Sequence, residues 1–399
     1  MIPEQMRRES SNEARGGVRM KKVALTGAHA SAEAMKQINP DVVPVYPITP
    51  QTPMMEKFCY FKAEGEVDTE VVLVESEHSV MSVAVGASAA GARVMTASSS
   101  QGISLMNEVL SVASGSRLPI LMNVVNRAVS APLNIHCDQC STMSVRDLGW
   151  VQLFAETSQE AYDLTLIGMK LAEAMKNPVM VCQDGFITSH CVEILEILEQ
   201  EKARKYVGDY NPKNKLLDVN NPMTFGAWQM PSHYMDTKIE QQKALMDAFK
   251  EYPKAAKEYE AVSKRSYGFL EEYKMKDAEA VIVTTGSAAG TTKAVIDRMR
   301  DKGKKVGLLK IVLMRPFPYN EIANVLSKAK AACILDRAVA FGGNAPLYGD
   351  VMQACYSLNK KPKISGSVFG LGGRELYEEQ IEKIFNDLLA GKNTEEYVK

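Results

Sequence analysis

Short apolar runs of the β type alternate with helical patterns along the first half of this chain. The runs at 71–74, 94–97, 119–125 and 179–182 are almost wholly apolar. Strands that are apolar on both faces are typical of sheets that helices cover on both sides. The repeated β–α alternation therefore predicts the α/β class with a mainly parallel sheet.

A second α/β unit is predicted at 277–390, with strand patterns at 280–285 and 332–335. It contains two glycine-rich segments, at 341–343 and 370–373. Neither segment completes the G-x-G-x-x-G spacing of a dinucleotide-binding loop, so we interpret both as turns.

The stretch between the two units has a different composition. Charged residues are dense there, Tyr, Pro and Asn are frequent, and no parallel-sheet strand is evident. A helical pattern runs from 238 to 273 and is interrupted by Pro253, because proline cannot continue a helix without losing a hydrogen bond. We predict a connecting arm that is partly helical.

These patterns divide the chain into five segments. The predicted segments are 1–19, a disordered extension or mis-assigned start; 20–193, the first α/β domain; 194–276, the arm; 277–390, the second α/β domain; and 391–399, a tail.

Composition excludes several classes of function. The 47 basic and 48 acidic residues give a net charge of −1, so there is no electrostatic reason to expect nucleic acid or an anionic membrane as a partner. No apolar run reaches the roughly 18 residues of a membrane span. Seven cysteines, an odd number, indicate thiols in a reducing compartment, and we predict a cytoplasmic protein.

Cys137 and Cys140 form the only C-x-x-C pair in the chain, and His136 precedes them. A zinc site needs further ligands at suitable spacing, and no second pair exists. Ordinary loop cysteines are the favoured interpretation, a metal role stays open, and no metal ligand is predicted.

Three polar groups follow strand patterns at the points where the strands end. Thr49 follows the strand at 42–46, Glu77 follows the apolar run at 71–74, and Arg127 follows the run at 119–125. Because the carboxyl ends of parallel strands face one crevice, these side chains are expected to meet there. Taken singly, Glu77 and Thr49 could be helix-capping residues and Arg127 a surface charge.

The segments around these residues resemble a known family. Tyr-Pro-Ile-Thr-Pro at 46–50, Glu-Ser-Glu-His-Ser at 75–79 before a helix of small residues, and Gly-Leu-Gly-Gly-Arg at 370–374 occur in the expected order. In these features the chain resembles the α subunit of the pyruvate:ferredoxin oxidoreductase family. The resemblance implies a pyrimidine-type thiamine-diphosphate domain at 20–193 and a domain like the transketolase C-terminal domain at 277–390.

The resemblance also implies roles for individual residues. Glu77, rather than Glu75, would contact N1′ of the cofactor's aminopyrimidine. Thr49 and Arg127 would hold the carboxylate of a 2-oxo acid, a group that the planar guanidinium fork matches. Ser100, Gln101 and Gly102 match the Ser-Gln-Gly turn of the family. This turn would line the same crevice and help to bind the cofactor.

The expected reaction converts pyruvate, coenzyme A and oxidised ferredoxin to acetyl-CoA, CO₂ and reduced ferredoxin. The Gly-Asp-Gly…Asn motif that holds Mg²⁺ and the diphosphate is missing, as is the cysteine spacing of iron–sulfur clusters. The chain is therefore expected to supply half of a site. A β subunit would carry the Mg²⁺ and diphosphate ligands, and γ and ferredoxin-like δ subunits or their equivalents would complete the assembly, with the [4Fe–4S] clusters on the partner subunits.

Other functions remain open from sequence. Related 2-oxoglutarate enzymes usually carry a Gln-Arg-Gly-Gly-Pro-Ser type of stretch where this chain has residues 126–132. Pyruvate or the branched 2-oxoisovalerate is therefore the better fit. A non-oxidative thiamine-dependent enzyme half and a subunit whose site has decayed are the remaining alternatives.

Overall fold

The structure, a computed structural model, describes residues 20–399. The prediction for residues 1–19 lies outside the described residues. The strands, in chain order, are β1 (Met20–Thr26), β2 (Val42–Val45), β3 (Glu70–Leu73), β4 (Val94–Ser98), β5 (Ile120–Asn126), β6 (Val151–Phe154), β7 (Val179–Asp184), β8 (Val192–Leu198), β9 (Leu270–Tyr273), β10 (Ala280–Thr284), β11 (Val306–Ile311), β12 (Leu313–Arg315), β13 (Ala331–Asp336) and β14 (Lys363–Val368).

The helices connect these strands in the manner of an α/β protein. In chain order they are α1 (Gly27–Ile38), α2 (Thr52–Ala63), α3 (Glu77–Ala90), α4 (Ser100–Leu105), α5 (Asn107–Gly115), α6 (Cys140–Ser144), α7 (Ser158–Met175), α8 (Gln200–Val207), α9 (Pro231–Met246), α10 (Ala248–Ser263), α11 (Ala288–Asp301), α12 (Tyr319–Leu326), α13 (Pro346–Cys355) and α14 (Glu378–Leu389).

The first sheet has seven strands in the order β12-β6-β7-β5-β4-β2-β3. All neighbouring pairs are parallel except β12 and β6. Apolar side chains of α1, α2 and α7 cover one face, and those of α3 and α5 cover the other. Every residue of β4 and β5 is buried, as the apolar composition of these strands predicts. The α/β class with a mainly parallel sheet is confirmed.

The second sheet has five strands in the order β14-β13-β10-β11-β9, and β9 is its antiparallel edge. It shares a core with the first sheet, because one apolar cluster contains Met122 and Phe154 as well as Val281 and Leu309. Strand β12 comes from the second half of the chain but pairs with β6 of the first sheet. The two sheets are therefore joined by both backbone pairing and apolar packing.

The segment predicted to be a connecting arm contains strands as well as helices. The predicted boundary at 193/194 falls inside β8, which pairs antiparallel with β1. The helical pattern ends at Ser263 rather than at 273, and its break lies at Asp247, between α9 and α10. The division into domains stays a prediction.

Pro253 was expected to interrupt the helix, and that expectation is wrong, because Pro253 lies inside α10. Proline removes one backbone hydrogen bond from a helix. The apolar side of α10, with Tyr252 and Tyr259 fully buried, packs into the core and holds the helix together. Within residues 20–399, no helix has both the length and the apolar composition needed to cross a membrane.

Candidate functional site

The predicted site residues lie at the carboxyl ends of four neighbouring strands. The order β5-β4-β2-β3 places Arg127 directly after β5 and the turn at 98–102 at the end of β4. Thr49 follows β2, and Glu77 follows β3 as the first residue of α3. The structure therefore gathers residues that are up to 78 positions apart in sequence along one edge of the sheet.

Glu77 is held at the start of α3 by the local sequence. The side chain of Ser76 caps the helix by accepting a hydrogen bond from the backbone N–H of Ser79 at 3.3 Å. Glu77 is only 7% exposed. Glu75, in contrast, is exposed, and its carboxylate accepts a hydrogen bond from the hydroxyl of Ser79. Of the two acids, Glu77 is the one that the fold partly removes from water.

Gly102 makes room for the Glu77 side chain. A Cβ atom at position 102 would lie 2.8 Å from Oε1 and 2.6 Å from Cγ of Glu77, and 2.5 Å from Oγ of Ser98. Real Cβ atoms do not approach other atoms so closely. The hydroxyl of Ser98 is buried and makes no hydrogen bond within residues 20–399. Glycine is therefore required at this point of the crevice, beside a buried carboxylate and an unpaired hydroxyl.

The turn at the end of β4 is tied to the segment that follows β5. The hydroxyl of Ser100 donates to the carbonyl oxygen of Ala128. The amide of Gln101 donates to Oγ of Ser130 at 2.5 Å. Ser100 has a positive φ of 41°, a conformation that is uncommon for residues other than glycine. The tight turn thus holds the loop that carries Arg127.

Arg127 is the cation of the crevice and is 7% exposed. Its Nη1 donates to the carbonyl oxygen of Thr49 at 2.9 Å, and its Nε donates to that of Asn134 at 3.3 Å. Burial lowers the pKa of Arg127, and the carboxylate of Glu77 opposes that shift. Arginine side chains are protonated at neutral pH in proteins, so Arg127 supplies a positive charge to the crevice.

Thr49 meets Arg127 through its backbone rather than through its hydroxyl. The residue is exposed, and the hydrogen bond to Arg127 uses its carbonyl oxygen. The two hydrogen bonds of the Arg127 guanidinium do not use Nη2. The Thr49 hydroxyl therefore takes no part in this contact, and the Nη2 group of Arg127 takes no part in either hydrogen bond.

Asp184, at the end of the neighbouring strand β7, links the first half of the chain to Ser287 and Arg337 of the second half, a connection that the sequence does not predict. Its carboxylate accepts hydrogen bonds from Gln139 Nε2 at 3.0 Å and from the backbone N–H and the hydroxyl of Ser287 at 2.9 and 2.7 Å. Burial would raise the pKa of Asp184, but Arg337 and these donors lower it overall. An acid at the end of an apolar strand was the available signal, since burying a carboxylate requires partners.

Cys137 and Cys140 do not belong to a cluster with metal-binding geometry within the described part of the chain. The one group of three or more suitable ligands found among residues 20–399 is Glu156, Glu160 and Glu271. Burial raises the pKa of Cys140 to about 12 and that of Cys137 still further. Thiols with raised pKa values are poor metal ligands and poor nucleophiles.

The group formed by the three glutamates surrounds an ammonium ion of the protein itself. Nζ of Lys310 lies 2.6 Å from Glu156 and 2.6 Å from Glu160, and it also contacts Glu271. Burial disfavours the charge on Lys310, but the carboxylates outweigh this effect and raise its pKa. The cluster therefore forms a buried ion network rather than an open cation site.

Comparisons with known proteins identify the family to which this fold belongs. A family model described as "Pyruvate flavodoxin/ferredoxin oxidoreductase, thiamine diP-bdg" matches residues 33–260. A second model, "Pyruvate:ferredoxin oxidoreductase core domain II", matches residues 278–381. The chain belongs to the pyruvate:ferredoxin oxidoreductase family. Glu77 and Arg127 both lie within the segment that the first model matches.

Named relatives cover nearly the whole chain. Pyruvate synthase subunit PorA of Thermotoga maritima is 50% identical over 93% of this chain and 95% of its own length. Ketoisovalerate oxidoreductase subunit VorA of Pyrococcus horikoshii is 38% identical over 92% of this chain and 93% of its own.

Two solved structures share the fold. One is 2-oxoglutarate:ferredoxin oxidoreductase from Magnetococcus marinus, determined with 2-oxoglutarate, coenzyme A and succinyl-CoA bound, at a TM-score of 0.74 and 18% identity. The match covers 92% of this chain, which spans 65% of the length of that chain. A split-gene transketolase, an inactive β4 tetramer, matches 92% of this chain and 96% of its own at a TM-score of 0.52 and 9% identity.

The residues of the crevice fit one side of a thiamine diphosphate site. Gly102 leaves space beside the partly desolvated Glu77 carboxylate, and the buried hydroxyl of Ser98 has no partner within the described residues. A carboxylate in this setting can accept a hydrogen bond from a heterocyclic nitrogen that carries a proton. Arg127 adds a donor fork at the other end of the same edge.

Proposed function

We propose that this chain is the α subunit of a 2-oxoacid:ferredoxin oxidoreductase that prefers pyruvate. The reaction joins the acyl group of pyruvate to coenzyme A, releases CO₂ and passes two electrons to ferredoxin. The observation that carries this proposal is the placement of Glu77 and Arg127 along one edge of the sheet, in a chain that is 50% identical to a pyruvate synthase subunit.

Glu77 is proposed to be the acid that engages the cofactor. Its carboxylate would hold the proton that it shares with N1′ of the aminopyrimidine, and burial strengthens such a contact because water competes less. Ser100, Gln101 and Gly102 would line the space beside this group. When bound, thiamine diphosphate supplies the carbanion chemistry of decarboxylation, and the protein orients it and adjusts its protonation.

Arg127 is proposed to hold the substrate carboxylate. Its Nε and Nη1 are bonded to two backbone carbonyls, which fixes the plane of the guanidinium. A fixed fork loses little side-chain entropy when a carboxylate binds to its remaining N–H groups. Thr49 is exposed and contacts this fork through its carbonyl oxygen, and its hydroxyl would add a further hydrogen bond to the 2-oxo acid.

The other half of the site is proposed to come from partner subunits. The diphosphate needs Mg²⁺ with oxygen ligands, and the corresponding Gly-Asp-Gly…Asn sequence is absent from this chain. A β subunit would supply those ligands, and γ and δ subunits or their equivalents, with [4Fe–4S] clusters on the partner chains, would carry electrons to ferredoxin. The seven free cysteines favour a cytoplasmic setting, where thiols stay reduced.

A branched substrate is the second candidate, because a ketoisovalerate oxidoreductase subunit is 38% identical to the chain. An assay of the purified complex with pyruvate, 2-oxoisovalerate and 2-oxoglutarate separates the alternatives. We expect pyruvate to have the highest kcat/KM for reduction of a low-potential dye, and we expect reduction to require coenzyme A. A higher kcat/KM for 2-oxoisovalerate would assign the branched substrate, and decarboxylation without dye reduction would indicate a non-oxidative enzyme.

A further inference from the structure

We infer that the glycine turn at 370–373 is a positioning element for Arg127 and acts through Asn134. This inference rests on the proposed role of Arg127 as the ligand of the substrate carboxylate. The turn lies in the second half of the chain, after β14, whereas Arg127 and Asn134 lie in the loop that follows β5.

Asn134 connects the two halves with separate groups. Its side-chain Nδ2 donates to the carbonyl oxygen of Gly372 at 3.0 Å, across 238 positions of sequence. Its backbone carbonyl oxygen accepts the hydrogen bond from Nε of Arg127 at 3.3 Å. Its Oδ1 accepts from the backbone N–H of His136 at 2.7 Å. One residue thus contacts the glycine turn, the guanidinium and the end of its own loop.

The glycines allow the loop to lie directly on the turn. A Cβ atom at position 372 would lie 2.5 Å from Nδ2 of Asn134, and one at position 373 would collide with Cβ of His136. Both glycines have positive φ angles, 61° and 80°. The backbone N–H of Gly373 also donates to the carbonyl oxygen of Cys137 at 2.7 Å. Space and backbone conformation restrict both positions to glycine, and the hydrogen bond to Cys137 fixes the turn against the loop.

The turn at the end of β4 holds the first part of the loop, because Ser100 and Gln101 donate to Ala128 and Ser130. The loop closes through one backbone hydrogen bond, from Ala128 N–H to the carbonyl oxygen of His136 at 2.9 Å. Ser130 and Leu133 between them are exposed. An exposed loop retains conformational freedom unless it is anchored, and a misplaced fork binds a carboxylate less well. The contact with the glycine turn anchors the loop at Asn134, beyond those exposed residues, and thereby helps to orient Arg127 before substrate arrives.

The test uses the assembled complex and three single variants. Asn134→Ala removes the hydrogen bond to Gly372, and Gly372→Ala adds both a collision and an unfavourable φ. The control is Gly391→Ala, because Gly391 has a φ of 69° but open space around its Cβ position. We expect Asn134→Ala and Gly372→Ala to raise KM for pyruvate about three- to tenfold, the size of one lost hydrogen bond, with kcat within about twofold. The inhibition constant of oxamate, an unreactive analogue, should rise in parallel, and Gly391→Ala should change neither constant.

A double-mutant cycle with Arg127→Ala distinguishes positioning from a general structural effect. If Asn134 acts through Arg127, Asn134→Ala should have little further effect on KM once Arg127 is absent. Unchanged KM in Asn134→Ala and Gly372→Ala, alongside a raised KM in Arg127→Ala, would overturn this inference and leave the proposed function intact. An unchanged KM in Arg127→Ala would instead overturn the proposed role of Arg127 and this inference with it.

Discussion

At the scale of single residues, the position of Glu77 depends on the absence of a side chain at Gly102. The glycine lies in α4 and the acid starts α3, and no local pattern connects them. Since a Cβ at position 102 would lie 2.8 Å from the carboxylate, the two positions constrain each other. This dependence explains why the Ser-Gln-Gly turn accompanies the acid in the sequence motif.

Replacing Glu77 tests its role in activating the cofactor. Glu77→Gln keeps the size of the side chain but removes the carboxylate that would share a proton with N1′. We expect kcat to fall by about 10²-fold or more, the usual scale of an acid–base contribution, while the complex still assembles. The control is Glu75→Gln, which changes an exposed acid two positions away and should leave kcat unaltered. Normal turnover by Glu77→Gln with cofactor bound would refute the assignment.

Replacing Arg127 by lysine tests whether the fork, rather than the charge alone, binds the substrate. A lysine cannot reach both Thr49 and Asn134 and also present parallel N–H groups. We expect kcat/KM for pyruvate to fall by about 10- to 100-fold, equivalent to the roughly 1.5–3 kcal/mol of a hydrogen-bonded charged group.

Arg117 provides a matched control for this change. Its guanidinium also donates to two backbone carbonyls, those of Lys176 at 3.0 Å and Met175 at 2.6 Å. Arg117 lies before β5 instead of after it, and therefore at the amino end of the strand, away from the crevice at the carboxyl ends. Arg117→Lys should therefore affect stability but not kcat/KM. Equal kinetic losses in the two variants would show that Arg127 has no special role in substrate binding.

At the scale of elements, α3 keeps an exposed glycine in its interior. Glycine weakens a helix by about 1 kcal/mol relative to alanine. Gly86 is exposed, and a Cβ added there would meet no atom of residues 20–399 within 4 Å. Packing against the described part of the chain therefore does not explain Gly86, whereas close approach of a partner subunit would.

Gly86→Leu tests this explanation. The leucine has open space in the single chain and a better helix propensity, so the isolated subunit should become slightly more stable. Assembly with the partner subunits should become weaker, as measured by size-exclusion chromatography of the co-expressed complex. Gly349→Leu is the control, since Gly349 lies in α13 and also has open space at its Cβ position. Normal assembly of Gly86→Leu would indicate that no partner approaches α3 closely.

The sequence predicts best the elements that a strong pattern marks. Strands β4 and β5 were predicted within one residue at each end, because both are apolar runs between polar segments. The convergence of Thr49, Glu77 and Arg127 also follows from sequence, because each comes after a strand of a parallel sheet. Neither result requires knowledge of distant contacts.

Other elements depend on contacts that no local pattern carries. Strand β6 has four buried residues, too few for periodicity to separate it from a loop. The helices α4 and α5 are separated at Met106, where neither glycine nor proline marks a break in the sequence. The contact between Asn134 and Gly372 spans 238 positions. These features are set by tertiary packing, which overrides local preference.

At the scale of the whole molecule, buried charges connect the segments that the two family models match. Glu156 and Glu160 belong to the first segment, and Lys310 and Lys293 to the second. Lys310 is 1% exposed and lies among three carboxylates. Breaking a buried ion pair leaves charges without partners, which costs more than the pair contributes while intact.

Lys310→Met should therefore destabilise the chain by about 3–5 kcal/mol, measured by urea unfolding. Lys293→Met is the comparison, because Lys293 contacts Glu156 and Glu271 as well but is 22% exposed. Water can solvate the carboxylates near Lys293, so the loss there should be smaller. Equal losses of stability in both variants would contradict the view that the buried network is the main connection between the two segments.

Because the pKa of Lys310 is raised, its contribution to stability is fully present below the ordinary lysine pKa of about 10.4 and is lost only as pH rises through the higher folded value.

The proposed division of the cofactor site between subunits predicts how the isolated chain behaves. In this crevice Glu77 is an acid, Arg127 is a cation, and Gly102 leaves room beside Glu77. The negative charge of a diphosphate also needs Mg²⁺ held by oxygen ligands. The motif for those ligands is absent. In the described residues, the cluster of three glutamates with metal-binding geometry already surrounds the ammonium group of Lys310. We therefore expect calorimetry on the single chain to detect no micromolar binding of thiamine diphosphate with Mg²⁺. The same titration of the assembled complex should detect it, since the site closes only when both halves are present. Micromolar, magnesium-dependent binding by the chain alone, or decarboxylation of pyruvate by it, would show that the site is not shared.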